Sequence, residues 1–187
     1  SSASVVVDWS RQLTATTLDA GGVALQGRSV VWTSSDATKA MVSTSGMVTA
    51  VATGSATITA TSEGKSASAN VNVTPYSFSA LTAGERDTCG WTTLGKGYCW
   101  GQNSRGNQGT GGGATSTPQA IQGGLTFTTL SSGESHTCGL TSAAAAYCWG
   151  YNEFGELGDG TTIQRSVPAA VQGGIAFTTL TVSQLHT

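Results

Sequence analysis

The chain has 187 residues, a net charge of −2 and only 10% charged residues, against roughly 25% in ordinary soluble domains. Its eight basic residues are scattered, so no basic face is available to neutralise phosphates and no nucleic-acid partner is expected. No apolar run approaches the roughly 20 residues a membrane helix needs, and no membrane insertion is expected. Few charges, 26 glycines and abundant Ser and Thr predict an all-β chain with a neutral surface.

Residues 1–74 contain no cysteine and read as short strands between Gly and Ser turns. Gln12-Leu13-Thr14-Ala15 alternates before a turn at Asp19-Ala20-Gly21-Gly22, and Val30-Val31-Trp32 is a β triplet ahead of Ser34-Ser35-Asp36. Met47 to Val51, Ala56 to Ala60 and Ala69 to Val73 follow, the last placing Ala69, Val71 and Val73 on one face. Period-two alternation with turns every 8–12 residues or so is the pattern of a β-sandwich, with Trp32 expected in its core. The segments QLTATTLDAGG, VVWTSSD, the spaced Val and Gly run from Val42 to Gly54, and ATITATSEGKSASANVNV resemble the bacterial immunoglobulin-like group 2 domain. In that family a further first strand precedes the segment beginning at Val5. Only Ser1 to Ser4 precede it here, so one sheet is expected to lack an edge strand. Asn72-Val73-Thr74 has the form of a glycosylation sequon but reads as strand sequence. Pro75, with no N–H to give to a ladder, ends this domain.

Residues 75–187 are built from a unit of about fifty residues, divided as 76–125, 126–175 and the start of a third at 176–187. TCGWTTLGKGYCWGQN, from Thr88 to Asn103, returns as TCGLTSAAAAYCWGYN, from Thr137 to Asn152, and Phe78, Phe127 and Phe177 open the three copies. Within a unit, Phe127 to Leu130, His136 to Leu140, Ala146 to Gly150 and Val167 to Gln172 read as four strands, the arithmetic of a propeller blade.

Cys89 and Cys99, and again Cys138 and Cys148, stand symmetrically about a short turn. Residues equidistant from a hairpin turn face each other closely enough for a disulfide. Free thiols or a metal site are the competing reading, although the tight C-x-x-C knuckle and nearby His partner of a zinc site are missing. Disulfides would imply an oxidising compartment, and so a secreted or cell-surface protein.

HTCGLT, AYCWGYN and FGELGDGTT, followed by Pro168, Val171 and Gly173-Gly174, resemble repeats of the regulator of chromosome condensation family in its cysteine-containing bacterial secreted form. The resemblance implies a β-propeller, usually of seven blades. The expected fold is therefore an immunoglobulin-like β-sandwich followed by about two and a half blades of an incomplete β-propeller, a fragment cut at both ends and closing at Thr187. Repeat one departs from the pattern: Asp87 replaces His136, Trp91 replaces Leu140, and the turn from Asn107 to Gly113 replaces that from Glu156 to Gly160.

His136 and His186 occupy equivalent places in successive repeats, so they are expected to spread around an axis and act structurally. Ser135, His136 and Asp159 supply the residue types of a hydrolytic triad, but strand neighbours point to opposite faces. Asp159-Gly160 lacks the spacing of a calcium loop and reads as a tight turn. Trp100 and Trp149 are expected to pack between blades. No catalytic, metal or cofactor constellation is expected, and no enzyme. The expected role is a non-enzymatic extracellular binding or adhesion module for a protein or glycan ligand, completed by the remaining blades of its parent chain. A nucleotide-exchange factor for a small GTPase and a secreted enzyme inhibitor are the alternatives.

Overall fold

A type I′ turn at Glu63-Gly64, with φ of 48° and 76°, joins the two longest strands of the first half, β6 (Gly54–Ser62) and β7 (Lys65–Thr74). The computed structural model describes residues 2–7, 9–183 and 186, with fifteen strands among them. Ser1 and the end point at Thr187 lie outside the described residues. The chain divides into two compact units, Ser1–Tyr76 and Ser77–Thr187.

In the first unit, β1 (Ser2–Val6), β7, β6 and β3 (Val31–Ser34) form one sheet in that order. β2 (Ser10–Gln12), β5 (Met47–Ala50) and β4 (Ala40–Val42) form the other. Alternation along β5, β6 and β7 turns Val48, Ile58, Val71 and Val73 inward, where they meet Val5. The edge strand expected to be missing is present: Ser2 to Val6 run parallel to β7 in register with Asn70 to Thr74. The strand read at Gln12–Ala15 instead ends at Gln12. Beyond it the Asp19 carboxylate gathers the N–H groups of Gly21 and Val23, a local turn that competes with ladder bonds. The Val30–Trp32 triplet is split by the pleat. Trp32 packs half-buried against the core, and Val31 is 62% exposed on the other face.

The second unit contains two four-stranded sheets of identical plan. β8 (Phe78–Ala83), β9 (Asp87–Thr92), β10 (Gly97–Gly101) and β11 (Thr115–Ala120) make the first blade. β12 (Phe127–Ser132), β13 (His136–Thr141), β14 (Ala146–Gly150) and β15 (Arg165–Ala170) make the second. Irregularities recur in equivalent ladders, at Phe78/Ala80 and Phe127/Thr129, and at Cys99/Gly101 and Cys148/Gly150. Gly101 and Gly150 take φ of 106° and 108°, and a Cβ on either would lie within 2.6 Å of the carbonyl oxygen of Arg86 or Ser135. Pro118 and Pro168 lie on the outermost strands, β11 and β15.

The blades meet through apolar faces. Phe127, Leu130 and Trp149 of the second blade bury Cys89, Cys99 and Ile121 of the first. The Trp149 indole N–H donates to the Asn107 carbonyl at 2.9 Å, and the Ser132 N–H donates to the Thr82 hydroxyl at 3.2 Å. Val182 and Leu180 from the third repeat cover Cys138, Cys148 and Leu157 in the same way, and the Val182 N–H donates to the Ser131 hydroxyl at 3.0 Å. Trp100 departs from the expectation of packing between blades. It is half-buried, with its ring 5.9 Å from that of Phe78, on the face of the first blade that the second blade does not cover.

Candidate functional site

The loops at one end of the blades are held by covalent and polar anchors that repeat along the chain. Cys89 and Cys99 are cross-strand partners in the β9–β10 ladder, as are Cys138 and Cys148 in β13–β14. Each pair is joined as a disulfide, with Cα atoms 4.1 Å apart. Two residues after each Trp-Gly, a buried Asn organises the following loop. The Asn103 carboxamide donates to the Gly112 carbonyl at 2.7 Å and accepts from the Gln108 N–H at 2.9 Å. Asn152 donates to the Ile163 carbonyl at 3.0 Å and accepts from the Leu157 N–H at 2.9 Å. Sequence reading passed over these two asparagines, although the repeated W-G-x-N string was their signal.

These anchors fix a polar recess of about 220 Å³ where the two repeats meet. Arg86 enters it from the β8–β9 loop, Gln102, Arg105 and Asn107 from the loop after β10, and Glu134 and Ser135 from the β12–β13 loop. The Gln102 N–H bonds the Arg86 carbonyl at 2.9 Å, and the Asn107 carboxamide bonds the Gln102 carbonyl at 3.0 Å, so the walls are tied to one another. Beside the recess the Arg105 guanidinium lies 5.1 Å from the centre of the Tyr151 ring. Tyr151 in turn meets Phe154 edge-on, and Phe154 is 76% exposed. Guanidinium, carboxylate and carboxamide groups beside exposed aromatic rings make a surface able to bind polar ligands through hydrogen bonds and stacking. This recess joins residues far apart in sequence and carries no linear motif.

Beneath the loops, the first two repeats bury an ionisable side chain at the same position, Asp87 in one and His136 in the other. Burial pushes the Asp87 carboxyl up to about 6, with a hydrogen bond from Asn107 acting in the opposite sense. In the second repeat burial holds the His136 imidazole below its ordinary range, Glu156 opposes the shift and His186 reinforces it. The charge of His186 in the third repeat is thus felt at His136 in the second. Among the described residues no set of three or more His, Cys, Asp and Glu side chains could hold a metal ion.

Asp159 is committed to its own turn rather than to His136. It accepts from the Thr161 N–H at 3.0 Å, the Thr161 hydroxyl at 2.7 Å and the Arg165 guanidinium at 2.8 Å. Burial alone would raise its carboxyl, but these bonds, with one from Asn152, hold it at about 2. Ser135, the remaining candidate for a triad, lines the recess.

Comparisons with known proteins agree with this geometry. Residues 1–73 match the model of the bacterial Ig-like domain (group 2), and residues 127–156 and 145–187 match the Regulator of chromosome condensation (RCC1) repeat. The chain carries a group 2 Ig-like domain followed by RCC1 repeats. Among solved structures, human WBSCR16 shares 14% identity at a TM-score of 0.50, over 64% of this chain and 37% of that one. Prp20p from Saccharomyces cerevisiae, whose structure was described with its binding to Gsp1p and histones, gives 15% identity and a TM-score of 0.49, over 63% of this chain and 34% of that one. A GH10 xylanase from termite gut that contains a bacterial Ig-like domain gives 26% identity and a TM-score of 0.35, over 43% of this chain and 20% of that one. The chain therefore spans about a third of the length of Prp20p and of human WBSCR16. No curated protein matches it. Ig-like and RCC1 units together support a binding or scaffold module.

Proposed function

We propose that the chain is a non-enzymatic extracellular binding module of a bacterial secreted or surface protein. Residues 1–74 serve as a spacer, and the repeats at 76–125, 126–175 and 176–187 present their loops to a protein or glycan. The observation that carries this reading is the recess at the repeat junction, with Arg86, Arg105 and Glu134 beside the Tyr151–Phe154 aromatic pair. Two disulfides favour an oxidising compartment. A neutral chain with few charges would recognise partners by hydrogen bonding and stacking more than by long-range steering.

The test is binding of the full chain to a glycan array and to surface proteins captured from living cells, with Arg105→Ala and Tyr151→Ala beside the native protein. Specific retention lost in both variants is expected. Retention unchanged in both variants, or no retention of any glycan or protein, would overturn the reading.

A further inference from the structure

The polar recess between the first two repeats is selective in what it can pair. Bonds from the Gln102 N–H to Arg86 and from the Asn107 carboxamide to Gln102 close it in, and Asn107 also bonds the buried Asp87 beneath. Its walls are therefore set before a ligand arrives, and little ordering entropy is lost on binding. The charges on those walls balance, with Arg86 and Arg105 standing beside Glu85 and Glu134. Arg86 and Glu85 already pair at 3.4 Å. Among the described residues, Arg105 meets the Tyr151 ring but no carboxylate, and no hydrogen bond or ion pair occupies the half-buried carboxylate of Glu134.

That lining weighs differently on each class of ligand. A phosphate or sulfate would meet Glu134 as well as the guanidinium groups, and a cation would meet Arg105, so either leaves a like charge opposed. An apolar group would strip water from carboxylate, guanidinium and carboxamide with no bond in return. A protein partner docks through buried aromatic anchors, and a recess whose charges are separated by Gln102, Asn107 and Ser135 has no apolar pocket for one. A neutral polyol satisfies both open groups. Each hydroxyl is donor and acceptor at once, so two adjacent hydroxyls can donate to Glu134 and accept from Arg105 together. The volume, about 220 Å³, suits one ring, since drug-sized ligands occupy larger sites. Tyr151 adds an aromatic surface at the rim for the C–H groups of such a ring.

We propose that the recess holds one neutral sugar ring of a glycan, with two adjacent hydroxyls shared between Glu134 and Arg105 and Tyr151 beside the ring. The inference rests on the recess being the ligand site of the chain. The recess then selects by charge: Glu134 disfavours acidic sugars and Arg105 disfavours amino sugars.

Saturation-transfer NMR with the full chain is the experiment. The probes are the methyl glycosides of glucose, galactose, mannose and N-acetylglucosamine, with glucuronate as the acidic control. At least one neutral glycoside is expected to bind, and glucuronate is not. Glu134→Gln keeps the shape but turns a charge-assisted bond into a neutral one, so it should weaken that glycoside about tenfold. The same variant should admit glucuronate, because the like charge is gone. Arg105→Ala should weaken the neutral glycoside by at least as much. Binding of the neutral glycoside that is unchanged in both variants, each shown to be folded by its thermal transition, would overturn the proposal. So would native chain that takes glucuronate and no neutral glycoside. If no glycoside binds while a surface protein is retained through Arg105 and Tyr151, the sugar assignment fails and the recess stands as the ligand site. If nothing is retained, both fail.

Discussion

The two blades follow the same chain path and differ in what they bury. The first places Asp87 with Asn107 under its loops, and the second places His136 with Glu156 at the same two positions. Both members of the pair differ between the two repeats, so what the fold accommodates there is a buried pair of interacting polar groups, not one particular residue. The faces differ as well. Trp149 is sealed between blades, and its counterpart Trp100 is half-buried. Identical motifs therefore carry unequal energetic weight, set by what lies against them.

The largest test of that inequality is a pair of alanine substitutions followed by urea denaturation in dilute solution. Trp149→Ala should cost about 3–5 kcal/mol, the usual price of emptying a sealed aromatic site. Trp100→Ala should cost about 1 kcal/mol, since less apolar area returns to water. Equal losses would mean that the two faces are equally covered.

Next in size are the disulfides, each spanning a sequence separation of 10. Loop-closure entropy gives about 3 kcal/mol for either, so Cys89→Ser/Cys99→Ser and Cys138→Ser/Cys148→Ser should lower stability by similar amounts. A marked difference between the two double variants would show that one blade relies on its staple more than the other.

The buried pairs give opposite responses to pH. Asp87 is raised to about 6 in the folded chain from an unfolded value near 3.9, so its contribution is full below about 3.9 and is lost as pH rises through about 6. His136 is held below its unfolded value near 6.5, so its contribution is full above that value and is lost as pH falls toward and through its folded pKa. Melting curves between pH 4 and 8 should therefore flatten in opposite senses for Asp87→Asn and His136→Gln. Shifts of the same sign in both variants would contradict the assignment.

The smallest effect lies in the β13–β14 turn. Ala144 sits at φ 61°, where the first repeat has Gly95 at φ 83°. Ala144→Gly should stabilise the second blade by about 1 kcal/mol, read as a raised melting temperature, because it removes a left-handed backbone strain.

Much of this organisation is legible in the residues alone. Alternation in Ala56 to Ala60 and Ala69 to Val73, and the fifty-residue echo of Thr-Cys-Gly and Cys-Trp-Gly, announce strands because local pattern and final burial coincide there. Ser2 to Val6 escaped that reading because a short parallel edge strand is defined by its partner, Asn70 to Thr74, and not by its own alternation. The recess escaped it because Arg86, Arg105 and Glu134 come together only when three loops of two blades converge. Trp100 misled because the sequence states that a Trp follows each second cysteine but not which blade face has a neighbour.

The prolines at equivalent places in β11 and β15 have a consequence for the outer rim of each blade. Each sits on an edge strand and has no N–H to offer a newcomer at the blade's outer rim. Enlargement by adding a fifth strand there, the route that leads to indefinite cross-linked sheets, is hindered on both blades by one residue each. Each blade thus stops at four strands on its outer side.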